Sequence, residues 1–376
     1  MLNEERKFLI EEACGVFGIH GHREAANHTY LGLHALQHRG QESAGIATVS
    51  PEGLLQVQRR SGLVSDGFTE DVLDTLEGSC AIGHVRYSTS GESSIRNAQP
   101  IYASTKFGPI TLAHNGNLTN AEKLRQDLEQ KGSIFGTSTD TEVIAHLIAR
   151  SGADDMLGAI IEALSQVEGA YSLLCLTPEM MVAVRDPRGV RPLVCGRLGS
   201  ARVVASESTA FGLIEAKFDR EIAPGEVLVV RSNGDEEWLK PFNTVRTTPC
   251  IFELVYFARP DNDVFGRNVY ETRKEMGRVL SRESDIDADV VIPVPDSGVP
   301  AAMGYAQESG IAFELGLVRS HYIGRTFIEP SDSIRHFGVK LKLSPIHSVI
   351  EGKRVVVVDD SIVRGTTCRK IIKMVR

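Results

Sequence analysis

The chain has 376 residues, 42% of them hydrophobic and 24% charged, and a formal net charge of −8. That length suggests two domains, each large enough to bury a core. The acidic balance argues against a non-specific nucleic-acid binder, and no apolar run approaches the ~18 residues of a membrane span.

The opening segment, MLNEERKFLIEEA, is not a signal peptide, because its apolar core is only Phe8, Leu9 and Ile10 and acids follow. Then comes Cys14-Gly-Val-Phe-Gly-Ile-His, with the first strand predicted over 14–19. A lone cysteine in such a run is usually a small buried hydrophobe. The second reading is chemical. Were residues 1–13 removed, the α-amine of Cys14 would be free to act as general base toward its own thiol. A free thiol, with a pKa of about 8.5, is mostly protonated at pH 7. An α-amine, with a pKa of about 7.7–8.0, is neutral in roughly a tenth of molecules or more. While a leader is attached, that nitrogen is an amide and no base.

Further strands are predicted over 44–49, 80–87, 109–113, 171–176, 181–184 and 227–230, with helices over 29–37, 121–131, 141–150 and 156–167. Strands and helices come in blocks, which suggests sheets sandwiched between helix layers. From about residue 265 the texture changes. A helix over 270–281, a strand over 289–294, a helix over 299–308, a strand over 312–318, a polar basic stretch over 321–345 and a strand over 354–358 alternate. That is the pattern of a parallel sheet with crossover helices. The boundary falls near 240–250. The last helix, 367–376, lacks a capping glycine or turn, so the chain reads as cut short. None of Cys14, Cys80, Cys175, Cys195, Cys250 and Cys368 forms a CxxC pair, and the scatter suits a reducing cytoplasm.

Several motifs carry chemistry. Arg86 ends a strand in GHVRYST. Asn115-Gly116 is most simply a turn. The alternative is an oxyanion hole, built from the Asn115 amide and the Gly116 N–H, each donor worth about 3 kcal/mol. Asp140 opens a helix, as a cap or first-turn acid or as a ligand. In RVVVVDDSIVRGTT a valine strand ends in Asp359-Asp360, followed by a loop and a helix. Ligands of α/β sheets bind at such strand ends, N–H groups at a loop-to-helix junction suit phosphate, and paired carboxylates suit a ribose diol or a magnesium-bound ligand. No Gly-Lys-Ser/Thr is present, so this is not a Walker A loop. Pro295-Asp296-Ser297-Gly298 follows an earlier strand, as simple turn chemistry or a ligand loop. The stretch 321–345, with Arg325, Arg335, Lys340 and Lys342, reads as a lid.

The segments CGVFGI, LQHRGQESAG, GHVRYST, HNGNL and STDTE, in this order, resemble the class II glutamine amidotransferase domain. The resemblance implies a propeptide over 1–13 and an α+β domain over 14–245 with the four-layer αββα Ntn-hydrolase (N-terminal-nucleophile) fold. It makes Cys14 the nucleophile and Asn115 and Gly116 the oxyanion hole. Arg86 would hold the glutamine α-carboxylate through its planar fork, Asp140 the α-ammonium, and Arg39 would lie beside them.

The valine-strand segment resembles the phosphoribosyl-pyrophosphate (PRPP) motif of type I phosphoribosyltransferases. This implies an α/β parallel-sheet domain over 246–376, incomplete at its C-terminus. PRPP would be held by Asp359, Asp360, Ser361, Val363, Arg364, Gly365, Thr366 and Thr367, and by Asp296, Ser297 and Gly298. Magnesium would sit with Ser297, Asp359 and Asp360.

The domain order and CIFELVYFARPD at 250–261 resemble the glutamine PRPP amidotransferase family. That family implies ammonia release from glutamine and attack on PRPP to give 5-phosphoribosylamine, the first committed step of de novo purine biosynthesis. It also implies purine nucleotide inhibitors, a homo-oligomer (a tetramer by resemblance), no nucleic-acid or membrane partner, and a cytoplasmic location. The leader and Cys250 resemble the processed subtype that carries a [4Fe-4S] cluster. A cubane needs several thiolates, and after Cys250 only Cys368 remains, so the other ligands would lie outside this chain. Two rival classes differ in sequence. Another amidotransferase would lack VVVVDDSIVRGTT, and a PRPP sensor without catalysis would be expected to lose Cys14, Arg86 and Asn115.

Overall fold

The computed structural model describes residues 14–87, 94–243, 245–320, 343–362 and 365–376. The proposed leader at 1–13 and residues 321–342 of the predicted lid 321–345 lie outside the described residues, while 343–345 form a strand. Two compact units part between Cys250 and Ile251.

Among the described residues, the first unit holds thirteen strands. They are β1 (Gly15–His20), β2 (Ser43–Val49), β3 (Leu55–Ser61), β4 (Cys80–Arg86), β5 (Ile101–Thr105), β6 (Gly108–Leu118), β7 (Gly169–Leu176), β8 (Met180–Arg185), β9 (Val194–Leu198), β10 (Ala201–Ala205), β11 (Lys217–Glu221), β12 (Val227–Arg231) and β13 (Glu236–Leu239). One sheet runs β11-β9-β10-β1-β4-β2-β3, the other β13-β12-β8-β7-β6-β5.

The central strands, such as β1, β7 and β8, are apolar on both faces because both faces are buried. In β1, Phe17 and Ile19 enter the outer core beneath α1 (Ala25–Ala35) and α7 (Thr209–Leu213), while Val16 enters the core between the sheets. In β7, Leu173 and Cys175 pack under α4 (Ala121–Gln130), α5 (Thr141–Arg150) and α6 (Met156–Leu164), while Leu174 and Leu176 face the other sheet. The period-two alternation of side chains thus divides residues between two cores. The result is helix, sheet, sheet, helix, the four-layer arrangement expected. Short helices α2 (Val64–Gly67) and α3 (Glu70–Leu73) complete the layer of α1.

β6 extends well past the predicted 109–113. It runs through Asn115 and Gly116, which pair with Ser172 and Tyr171 of β7. The Asn-Gly pair is therefore strand and not turn. A Cβ at Gly116 would lie 2.0 Å from the Ala170 carbonyl oxygen, so glycine is required by close approach.

The second unit begins with a hairpin of β14 (Asp263–Val264) and β15 (Arg267–Asn268), then α8 (Val269–Glu283), β16 (Val290–Pro293) and α9 (Val299–Ser309). An antiparallel pair, β17 (Leu317–Arg319) and β18 (Leu343–Pro345), precedes β19 (Val355–Val358) and a last helix, Thr366–Val375. β16 pairs in parallel with β19, and a parallel bridge joins Val291 to Phe313. The strand predicted over 312–318 is broken, because Gly316 turns to pack against Ile292 and Ile350.

The α1 layer sits unusually close to its sheet. A Cβ at Gly32 would fall 2.3 Å from the Phe17 ring. Gly32→Ala therefore brings overpacking of about 1–3 kcal/mol against a helix-propensity gain of about 1 kcal/mol. The expected outcome is a lower urea midpoint for the first unit. Asp127→Ala, on the exposed face of α4, also gains helix propensity but meets no packed neighbour and should not lower the midpoint; an equal fall at both sites would refute the packing account.

Candidate functional site

Cys14 stands just before β1. Its Sγ lies 3.6 Å from the carbonyl oxygen of Tyr87, the residue after β4. β1 and β4 are antiparallel with Gly15 opposite Val85, so the register places Cys14 and Arg86 at the same sheet end. Arg86 is 5% exposed and lies opposite Ser43 of β2. Ser88 and Thr89 of the same motif lie outside the described residues.

Arg39 occupies the turn Gln37–Arg39 and is wholly buried. Its Nε donates to the Cys14 carbonyl oxygen at 3.0 Å, and its Nη1 to Glu207 Oε1 at 2.5 Å. His38 Nε2 meets the same carboxylate oxygen at 2.9 Å. Burial alone would raise the Glu207 pKa, but the charges of His38 and Arg39 outweigh it and hold the carboxyl at about 2. Arg39 thus lies buried against the backbone of Cys14, bridging it to Glu207. Glu207 was not foreseen, because an acid after a short strand looks like any surface acid.

β6 delivers two functional side chains to opposite faces. Ala113 enters the core between the sheets, and Asn115, two residues on, shares that face and is fully buried. Asn115 Nδ2 donates to Ser206 Oγ at 3.4 Å, and the Val16 N–H donates to the same oxygen at 3.0 Å. Asn115 is thereby linked to β1, two residues from Cys14. His114 faces the helices instead, with Nδ1 3.1 Å from Thr141 Oγ1. Its carbonyl accepts from His84 Nε2 at 3.0 Å. Burial pushes the His84 pKa down to about 3, which keeps that ring neutral.

Asp140 directly precedes α5, yet its carboxylate does not cap the helix. It accepts the Leu118 N–H at 2.9 Å and lies 3.6 Å from His114 Nδ1. Burial raises its pKa, and His114 with the Leu118 and Thr141 N–H groups lowers it further than burial lifts it. An ionised carboxylate is thus fixed at the end of β6, three residues beyond Asn115.

In the second unit the parallel pairing of β16 and β19 sets both loops at the same sheet edge. The Val294 N–H donates to the Val358 carbonyl at 2.8 Å. A Cβ at Gly298 would lie 2.6 Å from that oxygen, so the 295–298 loop is pressed onto the end of β19. Asp296 Oδ2 pairs with Arg319 at 2.8 Å. Ser297, Asp359 and Asp360 line one end of a cleft of about 710 Å³ that runs along α8. The Asp360 N–H donates to Asp359 Oδ1 at 2.9 Å, and the Ser361 hydroxyl donates to Asp360 Oδ1 at 2.6 Å. Gly365 precedes the last helix with a φ of 67°, a left-handed conformation that glycine adopts freely. Val363, Arg364 and the side chains of Thr366 and Thr367 lie outside the described residues.

Burial, and then the neighbouring Asp360, push the Asp359 pKa up to about 6. Two carboxylates and a hydroxyl lining one cleft fit a hard divalent cation. Cys250 Sγ lies 3.8 Å from Arg191 Nη1. Among the described residues the one trio of histidine, cysteine or acidic groups close enough to share an ion is His22, Glu24 and His28, which includes neither Cys250 nor Cys368.

Because the folded pKa of Asp359 is raised, its ionisation opposes folding as pH climbs through about 6. Asp359→Asn should therefore raise the thermal midpoint of the unliganded protein at pH 7.5 and leave it unchanged at pH 4. A fall at pH 7.5 would contradict the strain assigned to this carboxylate.

Comparison with known proteins agrees with both units. Residues 84–212 match the glutamine amidotransferase domain family. Amidophosphoribosyltransferase 2 of Arabidopsis thaliana, a chloroplastic protein, is 58% identical over 376 residues, which is 100% of this chain and 67% of the relative. The Bacillus subtilis amidophosphoribosyltransferase is 50% identical over 368 residues, 98% of this chain and 77% of its own. The solved structure of B. subtilis glutamine PRPP amidotransferase with ADP and GMP superposes with a TM-score of 0.89 at 48% identity. It covers 96% of this chain and 79% of that one. The chain belongs to the amidophosphoribosyltransferase family.

Proposed function

We propose that the two sites divide the amidophosphoribosyltransferase reaction between them. Cys14 Sγ attacks the side-chain amide carbon of glutamine, and the amide nitrogen leaves as ammonia once protonated. Water then cleaves the resulting thioester to glutamate and regenerates the thiol. Ammonia attacks C1 of PRPP, pyrophosphate departs, and 5-phosphoribosylamine results. The observation that supports the first half most directly is the Asn115–Ser206–Val16 link, because it ties an amide donor to the strand that Cys14 opens.

Asn115 Nδ2 and the Gly116 N–H stabilise the oxyanion, Arg86 holds the glutamine α-carboxylate, and Asp140 its α-ammonium. In the second unit, Asp359 and Asp360 accept the ribose hydroxyls, and the 296–298 and 361–367 loops meet the phosphates. Magnesium, held through Ser297, Asp359 and Asp360, would neutralise charge on the departing pyrophosphate. The nucleotides in the B. subtilis structure support purine nucleotides as inhibitors here too. The oligomer, a tetramer, rests on family resemblance. A cytoplasmic setting is supported by the six free cysteines.

The α-amine of Cys14 serves as the base, which requires removal of residues 1–13. Active enzyme should therefore have an intact mass that begins at Cys14. Full glutamine hydrolysis with the leader attached would defeat this.

One kinetic experiment separates the two sites. Arg86→Lys keeps the charge but loses the bidentate fork, so the KM for glutamine should rise far more than that for PRPP. The Asp359→Asn, Asp360→Asn double variant loses two charged acceptors, each worth about 1.5–3 kcal/mol, and should weaken PRPP about a hundredfold or more. Its basal glutamine hydrolysis should survive. Crossed effects, with Arg86 acting on PRPP or the aspartates on glutamine, would reverse the assignment.

A further inference from the structure

The strand β10 ends beside the start of β1. In the antiparallel register Phe17 lies opposite Ala205, and the next residue, Ser206, donates its N–H to the Val16 carbonyl at 3.0 Å. The chain therefore carries Ser206 and Glu207 past the point where Cys14 leaves the sheet. Both side chains are buried, at 0% and 1% exposure, and each is committed to a different part of the glutamine site.

Glu207 Oε1 gathers His38 and Arg39, two neighbours in one turn. That turn is itself fixed on three sides. Gln37 Oε1 accepts the Val64 N–H at 2.7 Å. Gly40 packs so tightly on β4 that a Cβ would lie 2.5 Å from the Arg86 carbonyl carbon. The third fixed point is the Arg39 Nε bond to the Cys14 carbonyl. A planar guanidinium that bonds one group through Nε and another through Nη1 has little freedom left. Ser206 Oγ, meanwhile, accepts from both Val16 and the Asn115 amide. One N–H of that amide is thus directed at Ser206, which sets the plane of the group and the direction of its second N–H.

We infer that the Ser206–Glu207 pair is the positioning element of the glutamine site: Glu207 sets the nucleophile through Arg39, and Ser206 sets the oxyanion donor Asn115. The inference rests on the reading of Cys14 as nucleophile and names the residues that hold it in register with its oxyanion hole. Neither Ser206 nor Glu207 touches substrate. Their effect is on geometry, where a displacement of about 1 Å at the reacting atoms costs on the order of a hundredfold in rate.

The test uses the full chain. Glu207→Gln keeps the shape and removes the charge. Its kcat for glutamine hydrolysis should fall about a hundredfold, with KM for glutamine little changed, since the loss lies in the transition state. Alkylation of Cys14 by a glutamine-mimicking electrophile should slow in parallel. Glu207→Asp, which keeps the charge, should recover part of the rate. Ser206→Ala should lower kcat by roughly tenfold to a hundredfold through Asn115, at the lower end of what loss of an oxyanion donor costs; it also removes the acceptor of the Val16 N–H, so a modest fall in the thermal midpoint accompanies it. If Glu207→Gln fails to fold, the Ser206→Ala and Glu207→Asp arms decide. Parent-like kcat in the folded variants would overturn the inference. Hydrolysis that survives Cys14→Ala would show instead that the nucleophile reading itself is wrong.

Discussion

A carboxylate out of reach of water must find its donors within the protein, and Glu207 finds them on His38 and Arg39. Removing one partner from such a buried pair leaves an uncompensated charge, at a cost of about 3–5 kcal/mol. The pair joins parts of the chain about 170 residues apart, since the contacts span 168 and 169 positions. Its third member is the backbone of Cys14. The charge that stabilises the helix-to-strand turn is therefore the same charge that orients the residue opening β1. One buried contact thus both satisfies the carboxylate and fixes the backbone of Cys14.

The second unit uses charge in the opposite sense. Asp359 and Asp360 are adjacent, partly buried and mutually repulsive, so the folded chain holds Asp359 above its ordinary range. A site that is uncomfortable when empty is relieved by a cation or by a ligand rich in hydroxyl donors. The close approach of Gly298 to the end of β19 keeps the partner loop at the same sheet edge, so the strain faces the cleft that Ser297 also lines.

Much of this was legible before the structure. The block pattern of strands and helices suggested sheets between helix layers, and the family resemblance supplied the four-layer order. Cys14, Arg86 and Asp359-Asp360 stood out because their neighbours spell recognisable motifs. What escaped was positional. Ser206 and Glu207 carry no local signature, and only the β1–β10 register brings them to Cys14. Asn115-Gly116 was read by local preference as a turn, and pairing with β7 overrode it. Arg39 was expected beside the site, but its link to Glu207 could not be read from the sequence.

β6 has a consequence for how this protein tolerates change in length. His114 points to the helix layer and Asn115 to the facing sheet, so consecutive residues serve different neighbourhoods. Loss or gain of one residue in the upstream part of β6 would exchange the two faces for everything downstream. The imidazole would then be driven into the apolar interior and the amide turned toward α5. Substitutions at exposed Tyr102 on β5, which pairs with Thr111, change only what solvent sees. Sequence drift in this region is thus bounded less by which residues appear than by how many.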